Sequence, residues 1–513
     1  MEGEAVAPDK AVSSERTRQA ESAPAVLVIC LIVLAAALRF WHLGDWNFQA
    51  TEMFTLRDSS GPQFGNARPL GYVLTYYLVR PFLPLDEFGL RLLPAIFGVL
   101  AIPAFYLVSR HLVGTRAALF GAMLLAVSPL HVMYSQLARY WSLVFLLSAI
   151  YPFALYLGVR ERSRRALAIG LGTGVLAVLA HPVSVLLMGG PLLLLATRLR
   201  REQLTRLWNE PYARWIGVAL LVLAGAIALR FMPLLDGWIS MKDSGPPSGQ
   251  FLVRPKAPPG VKQILYLLGF VESLTVPVAL GAVAGIYVLW RERDRPTALF
   301  LASVAGFHVG FLALLLLRTS ASFYYLTPAV PVFFMGAGVF LDRLFQVDWK
   351  LRPSWLLPGT VAAAMIAAGA PTLISDYRDG RRYDFRGAAQ WLETQLVAGD
   401  VVFSDQPMVL AHYLPGARVQ HLRLSPEPLE ESVRVLHQSG RGEAVWVVAP
   451  APSHAFRTNL RHGGLAGWLY EHCQLRHSLG SGRVDFRQQY LHVYRCPPLT
   501  QEALLAGRRN DRR

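Results

Sequence analysis

Apolar runs long enough to cross a bilayer recur through the first three quarters of the chain, divided by short polar stretches. A spanning helix needs about 20 predominantly apolar residues. Segments of this kind lie at Ala25–Phe40, Arg91–Val108, Ala117–Leu130, Ser142–Leu157, Ala166–Ala180, Pro182–Thr197, Trp215–Phe231, Ile264–Trp290, Ala298–Leu317, Phe323–Leu341 and Trp355–Ile374. That pattern predicts roughly eleven spans. Pro69–Leu83 is also apolar, but no basic loop follows it, and it reads as a helix in or dipping into the membrane interface, anchored by Arg80. After Ser375 the pattern becomes that of a water-soluble fold. Phe385–Val397 has helical spacing, Asp400–Ser404 and Ala444–Ala449 read as short buried strands, and Gly482–Arg495 as paired strands around a turn.

The expected fold is therefore a polytopic α-helical membrane protein with a small C-terminal α/β domain. Its expected parts are a disordered N-terminus over 1–24, a membrane domain over 25–375, the α/β domain over 376–507 and a disordered tail over 508–513. The first apolar run ends in Arg39-Phe40-Trp41-His42 without a small-residue cleavage site and reads as a retained helix, the alternative being a cleaved signal peptide.

Composition agrees with a membrane chain: 53% hydrophobic and 16% charged residues, against roughly a quarter charged in soluble proteins. The net charge of +16 does not indicate nucleic acid, because the arginines cluster in loops between apolar runs. These are Arg110–Arg116, Arg160–Arg165, Arg198–Arg206, Arg291–Arg295 and Arg343–Arg352. Kept on the cytoplasmic side, as basic loops are, they place the N-terminus inside and the C-terminal domain outside. The preference for Arg over Lys points to a bacterial inner membrane. Gly44–Arg68, Ser128–Tyr140, His181-Pro182, the Pro- and Gly-rich loop Leu234–Lys262 and Arg318–Ser322 then share the outer face. Cys473 and Cys496 both lie in the C-terminal region and can pair if it is outside the cytoplasm, while Cys30 lies in the first apolar run. No zinc-ligand spacing, P-loop or dinucleotide fingerprint is present.

The acid Glu52, in the polar loop after the first span, draws attention first. Leu38-Arg39-Phe40-Trp41-His42-Leu43, the Glu52 loop, Arg68-Pro69-Leu70-Gly71-Tyr72, Phe88–Pro94, Ser128–Tyr140 and Tyr324-Tyr325-Leu326-Thr327-Pro328 stand in the order seen in the GT-C membrane glycosyltransferases. The chain resembles their protein O-mannosyltransferase and aminoarabinose-transferase superfamily. That resemblance implies a polyprenyl-phosphate sugar as donor, a glycan, lipid or protein acceptor, and transfer at the outer face. The family pattern in the first loop is Asp-Glu, whereas this chain has Thr51-Glu52, so Glu52 matches only the second acid.

The roles implied are specific. Glu52 is base or ligand of a divalent metal ion, with Asp58 as a nearby substitute, and otherwise pairs with Arg57 or Arg68. Arg68, Arg139 and Arg318, at outer ends of apolar segments, suit the donor phosphate, joined by Lys256 and Lys262 from the long loop. Tyr134, Tyr140, Tyr324, Tyr325 and His181 are candidates for substrate contact, the tyrosines being also what an aromatic belt supplies. Two other readings are a transporter or flippase of lipid-linked sugars, expected to carry paired intramembrane charges and broken helices at mid-depth, and a family member that binds such lipids without turnover.

Overall fold

The apolar runs fold as helices, and prolines within or beside them decide where several of the helices break. The computed structural model describes residues 9–62, 64–66, 68–198, 260–317, 323–347, 353, 355–379, 382–422, 429–431, 433–434, 444–450, 465–480 and 490–496. Among these, five helices are long and apolar enough to cross a membrane: Glu87–Val113, Trp141–Arg160, Arg295–Leu315, Tyr324–Gln346 and Leu356–Arg378. The number reaches seven if two bent pairs each form one span. Pro24–Phe40 and Pro182–Leu194 are shorter apolar helices. The expected span Trp215–Phe231 lies outside the described residues.

Two runs that read as single straight spans are bent. Thr115–Ala126 and Pro129–Ser135 meet at 59°, and Gln263–Leu274 and Val276–Arg293 at 94°. Pro129 and Pro277 carry no backbone N–H and cannot continue the preceding helix. At the second break Thr275 takes a φ of 71°. Bends of this kind are tolerated at membrane depth where protein groups satisfy the freed backbone. Arg39 does this at the first bend. It is 0% exposed, its Nη1 donates to the carbonyls of Ala35 (3.1 Å) and Ala126 (3.0 Å), and its Nη2 donates to Leu125 (3.4 Å) and to Nδ1 of His131 (2.6 Å). A cation is well placed against the carbonyls that end a helix.

Contacts divide the described residues into two compact units. The larger is drawn from Met1–Leu43, Asp58–Leu234 and Pro259–Ala370. Its tightest helix pair is Val276–Val288 on Val330–Gln346, where a Cβ on Gly285 would lie 1.8 Å from the Gly336 carbonyl oxygen. Only glycine allows that approach, the usual device for packing helices in lipid. At one end of this unit the basic loops meet. Asp342 pairs with Arg293 (2.9 Å) and Arg116 (3.5 Å), Asp294 with Arg160 (2.7 Å), and Glu292 with Arg343 (2.7 Å). Four of the Arg-rich stretches therefore share one end of the helices.

The smaller unit is drawn from Gly44–Arg57 and Pro371–Arg513. Its sheet has strands β1 (Val401–Ser404), β2 (Arg418–His421), β3 (Val445–Pro450), β4 (Gln474–Leu479) and β5 (Leu491–Cys496), in the order β2-β1-β3-β5-β4. β1 is parallel to both β2 and β3, while β5 is antiparallel to β3 and β4. All residues of β1 and β3, which lie inside the sheet, are buried, and β1 is parallel to both its neighbours, as buried strands commonly are. Asp400 anchors the sheet, its carboxylate accepting from the Ala444 N–H at 2.7 Å and the Trp446 indole at 2.9 Å. The pair expected within Gly482–Arg495 is instead β4 with β5, so its first strand ends before Gly482. A disulfide joins Cys473 to Cys496. The loop Gly44–Arg57, which sequence position assigns to the membrane domain, packs with this unit.

Candidate active site

Glu52 lies in the first turn of helix Ala50–Asp58 and is 0% exposed. Its Oε2 accepts from the backbone N–H of Gln49 at 2.8 Å and from Nη1 of Arg382 at 2.8 Å. The same Nη1 donates to the Asn47 carbonyl at 3.0 Å, and Asn47 Nδ2 donates to the Tyr383 carbonyl at 3.0 Å. An arginine bound by Glu52 is thus Arg382, far along the chain. This ion pair is internal to the smaller unit.

Asp58, the substitute acid, belongs to the larger unit. It is partly exposed, and Asn66 Nδ2 donates to its Oδ2 at 3.3 Å. Its charge reaches the Tyr72 phenol, which burial first and then Tyr140 push above the ordinary value, with Asp58 adding to the rise. The acid that shares a unit with the cationic residues is therefore Asp58.

Those residues converge. Nη1 of Arg68 reaches the Tyr140 hydroxyl at 3.5 Å, which lies 2.8 Å from the Tyr72 hydroxyl, and the Arg139 guanidinium lies over the Tyr140 ring, 5.1 Å from its centroid. Burial alone would raise the Tyr140 phenol, but Arg139, Arg68 and the bond from Tyr72 bring it below its ordinary value. Gly71 makes this arrangement possible, since a Cβ there would lie 2.7 Å from Cδ1 of Tyr140. Arg68 has tyrosines around it and no recorded carboxylate partner among the described residues.

Trp141 forms the inner wall. Its ring lies 4.8 Å from His181, 5.1 Å from Tyr324, 5.7 Å from Tyr325 and 6.3 Å from Tyr134, between centroids. His181 caps the segment Pro182–Met188, its Nδ1 accepting from the Val183 N–H at 3.1 Å. The proton of the neutral ring is therefore assigned to Nε2. Burial, followed by the charges of Arg68 and Arg139, holds His181 well below the ordinary histidine value. Its Nε2 is buried and has no hydrogen-bond partner among the described residues, leaving a donor directed into the same cationic region. His308 Nε2 lies 2.8 Å from the Tyr325 carbonyl oxygen and braces that tyrosine.

Seven expected residues, Arg68, Tyr134, Arg139, Tyr140, His181, Tyr324 and Tyr325, thus come together in the larger unit. Arg318 and Lys256 lie outside the described residues, as does the side chain of Lys262. Tyr72, Trp141 and His308 join the cluster although sequence reasoning did not single them out. Tyr72 ends the motif Arg68–Tyr72 and Trp141 directly follows Ser128–Tyr140, so adjacency was the available signal; His308, inside an apolar helix, had none. Among the described residues no three His, Cys, Asp or Glu side chains converge as a metal would need, and the Glu52 oxygen offered as a ligand is held by Arg382. Among the described residues this arrangement supplies no ligand set for a resident metal.

The site and the basic loops occupy opposite ends of shared helices. In Trp141–Arg160, Trp141 is in the aromatic wall and Arg160 pairs with Asp294, and in Tyr324–Gln346 the same relation holds between Tyr324 and Asp342. A 20-residue helix is roughly 30 Å long, about the thickness of the hydrocarbon core.

Comparison with known proteins agrees with this architecture. Residues 71–228 match the family model described as dolichyl-phosphate-mannose-protein mannosyltransferase. The fold is similar to that of ArnT from Cupriavidus metallidurans in the apo state, with a TM-score of 0.53 and 16% identity over 93% of this chain and 98% of that one. It is also similar to the Archaeoglobus fulgidus oligosaccharyltransferase in complex with Zn and sulfate, with a TM-score of 0.54 and 14% identity over 90% of this chain and 72% of that one. The same enzyme tethered to an acceptor peptide containing the NVT sequon gives a TM-score of 0.51 at 14% identity, over 91% and 74% of the two chains. No curated protein matches the sequence. The chain has the GT-C fold of membrane glycosyltransferases.

Proposed function

We propose that this protein is a membrane glycosyltransferase that moves a monosaccharide from a polyprenyl-phosphate carrier to an acceptor hydroxyl at the outer face of the membrane. One observation carries the reading: beside Arg139, Arg68 and the His181 Nε2–H converge in an aromatic recess, and among the described residues Arg68 has no carboxylate partner and His181 Nε2 no hydrogen-bond partner. A partly buried guanidinium without a carboxylate at the end of membrane helices is costly unless an anion reaches it, and a lipid phosphate is the anion available at that depth. The family model matched by residues 71–228, which include Tyr72, Arg139, Tyr140 and His181, supports a donor of the dolichyl-phosphate-sugar class.

In this reading the acceptor oxygen attacks the anomeric carbon as the bond to the phosphate oxygen breaks, with inversion. Arg68, the Tyr140 hydroxyl and His181 Nε2–H donate to the departing phosphate, where charge develops. Because burial and both arginines keep His181 neutral, it acts as a hydrogen-bond donor and not as a cation. Trp141, Tyr324 and Tyr325 shield the reacting bond from water. Asp58, partly exposed and in the same unit, takes the acceptor proton. Glu52, buried against Arg382, holds its loop and is a positioning residue.

Meeting of the Arg-rich loops at the end opposite the site supports an outward-facing site, a cytoplasmic N-terminus and a bacterial inner membrane as the location. The test is incubation of the purified protein with radiolabelled mannosyl, glucosyl and arabinosyl polyprenyl phosphates and a membrane acceptor pool. Transfer of one label, lost in Arg139→Ala, is expected. Saturable donor binding with no transfer from any donor would favour the binding-only reading. Movement of intact lipid-linked sugar across vesicle bilayers without transfer would favour the flippase.

A further inference from the structure

One buried polar side chain beside the recess has no part in the transfer chemistry. We infer that His308 is a positioning residue: through one hydrogen bond to the Tyr325 backbone it sets where that tyrosine closes the donor recess. The inference rests on the transferase reading and names the residue that fixes one wall of its site. His308 lies in helix Arg295–Leu315 and is 0% exposed. Its Nε2 lies 2.8 Å from the Tyr325 carbonyl oxygen, and because a carbonyl only accepts, Nε2 carries the proton.

The Tyr325 carbonyl needs an outside donor because of its own segment. Phe323–Ala329 is a 3₁₀ helix with Pro328 inside it. In such a segment each carbonyl is met by the N–H three residues on, which for Tyr325 is position 328, and proline has no N–H. The imidazole supplies the missing donor. At the preceding carbonyl, that of Tyr324, the Thr327 hydroxyl donates at 2.6 Å, so side chains hold both tyrosine carbonyls.

The helix that carries His308 is itself fixed against another part of the wall. Gly189 and Gly190 follow the segment Pro182–Met188 that His181 caps. A Cβ on Gly189 would lie 2.0 Å from Cε1 of Phe307, and one on Gly190 1.9 Å from the Ser303 carbonyl oxygen, so only glycines allow this approach. The His181 segment and Tyr325 are thereby seated on one helix, and their rings stand 5.5 Å apart. Tyr325 also lies 5.7 Å from Trp141 and 4.8 Å from Tyr324 between centroids. It is partly exposed, as a residue that meets donor must be.

Packing alone does not call for a histidine here. Its Nδ1 is buried and has no hydrogen-bond partner among the described residues, and an unmatched polar atom inside a membrane helix is costly. An apolar side chain of similar volume would avoid that cost but leave the Tyr325 carbonyl without this donor. What the imidazole adds is the direction of one bond, and with it the place of the Tyr325 ring.

The experiment compares His308→Met with His308→Gln, whose side chains are of nearly equal length but of which only the amide can donate, in the full-length protein in lipid nanodiscs. Fluorotyrosine incorporated in place of Tyr325 reports the ring by fluorine NMR, alone and during titration with polyprenyl phosphate. The signal is expected to move in His308→Met and to stay near its wild-type position in His308→Gln. The Kd for polyprenyl phosphate and the KM for labelled donor should rise roughly two- to ten-fold in His308→Met at unchanged kcat, about what one hydrogen bond is worth, and recover in His308→Gln. Adding Pro328→Ala, which returns the backbone N–H, should relieve His308→Met in the same way. The inference is overturned by an unchanged KM in folded His308→Met, by a fall in kcat alone, or by a His308→Met variant that does not fold while His308→Gln does. Should wild type transfer no sugar, the transferase reading fails, whereas a fluorine signal unmoved in His308→Met overturns this inference alone.

Discussion

Arg382 donates to Glu52 Oε2 at 2.8 Å, with 7% of the arginine side chain and none of the glutamate side chain exposed. The acid that the sequence marks most clearly for chemistry is thus half of a buried ion pair that ties the loop 44–57 to the segment preceding helix Phe385–Glu393. Removing one partner of such a pair leaves an uncompensated charge and costs about 3–5 kcal/mol. Arg382→Met should lower the melting temperature of the purified protein more than Glu52→Gln, whose amide oxygen still accepts from Gln49. The double variant should recover part of the loss. A double variant whose loss equals the sum of the two single losses would show that the pair is not coupled.

Arg68 and Arg139 should behave as phosphate ligands. Loss of one preorganised donor to a developing anion typically slows turnover roughly a hundred- to a thousand-fold. Arg68→Ala and Arg139→Ala are each expected in that range in initial-rate assays with labelled donor, with melting temperatures little changed. Arg68→Lys should retain charge but lose the planar fork and fall between.

Gly71→Ala tests the packing beneath Tyr140. The added methyl would lie 2.7 Å from the ring, forcing the tyrosine off Arg68 and Tyr72. The expected result is a raised KM for donor, larger than that of Leu70→Ala at the neighbouring position. An unchanged KM would mean that Tyr140 does not touch donor.

Asp405 should make stability fall as pH rises. Its carboxyl is raised from 3.8 to about 7 in the folded protein, so the folded state binds more protons than the unfolded state between these values. Stability linked to this group is complete below about pH 4 and lost by about pH 7, amounting to roughly 2–4 kcal/mol. Asp405→Asn should flatten the melting temperature over that window. An unaltered slope would assign the pH dependence to other groups.

Cys473 and Cys496 are disulfide-bonded and Cys30 is free. Alkylation of denatured, unreduced protein should label Cys30 alone in mass spectrometry. Cys496→Ser should destabilise the smaller unit by about 2–5 kcal/mol.

Much of the architecture was legible because lipid imposes a one-dimensional code: run length marks helices, and arginine marks the loops on one side. The residues Arg68, Arg139, Tyr140, His181 and Tyr325 were legible for a related reason, since polar and aromatic groups at the ends of apolar runs are conspicuous. The bend at Thr275 was not, although Pro277 was visible, because a proline in an apolar run is equally compatible with a kink. Tyr72 and Trp141 were hidden by being apolar enough to pass for lining.

Sequence by itself therefore determined the membrane class, the helical character of the apolar runs and the α/β character of the C-terminal region. Which partner each charge takes was decided only by the tertiary structure. Glu52 and Arg382 are separated by hundreds of residues in the chain; local pattern carries no information about such an encounter. Coulombic attraction and desolvation act through space, so Glu52 was drawn into its buried pair with Arg382 only once the chain had folded.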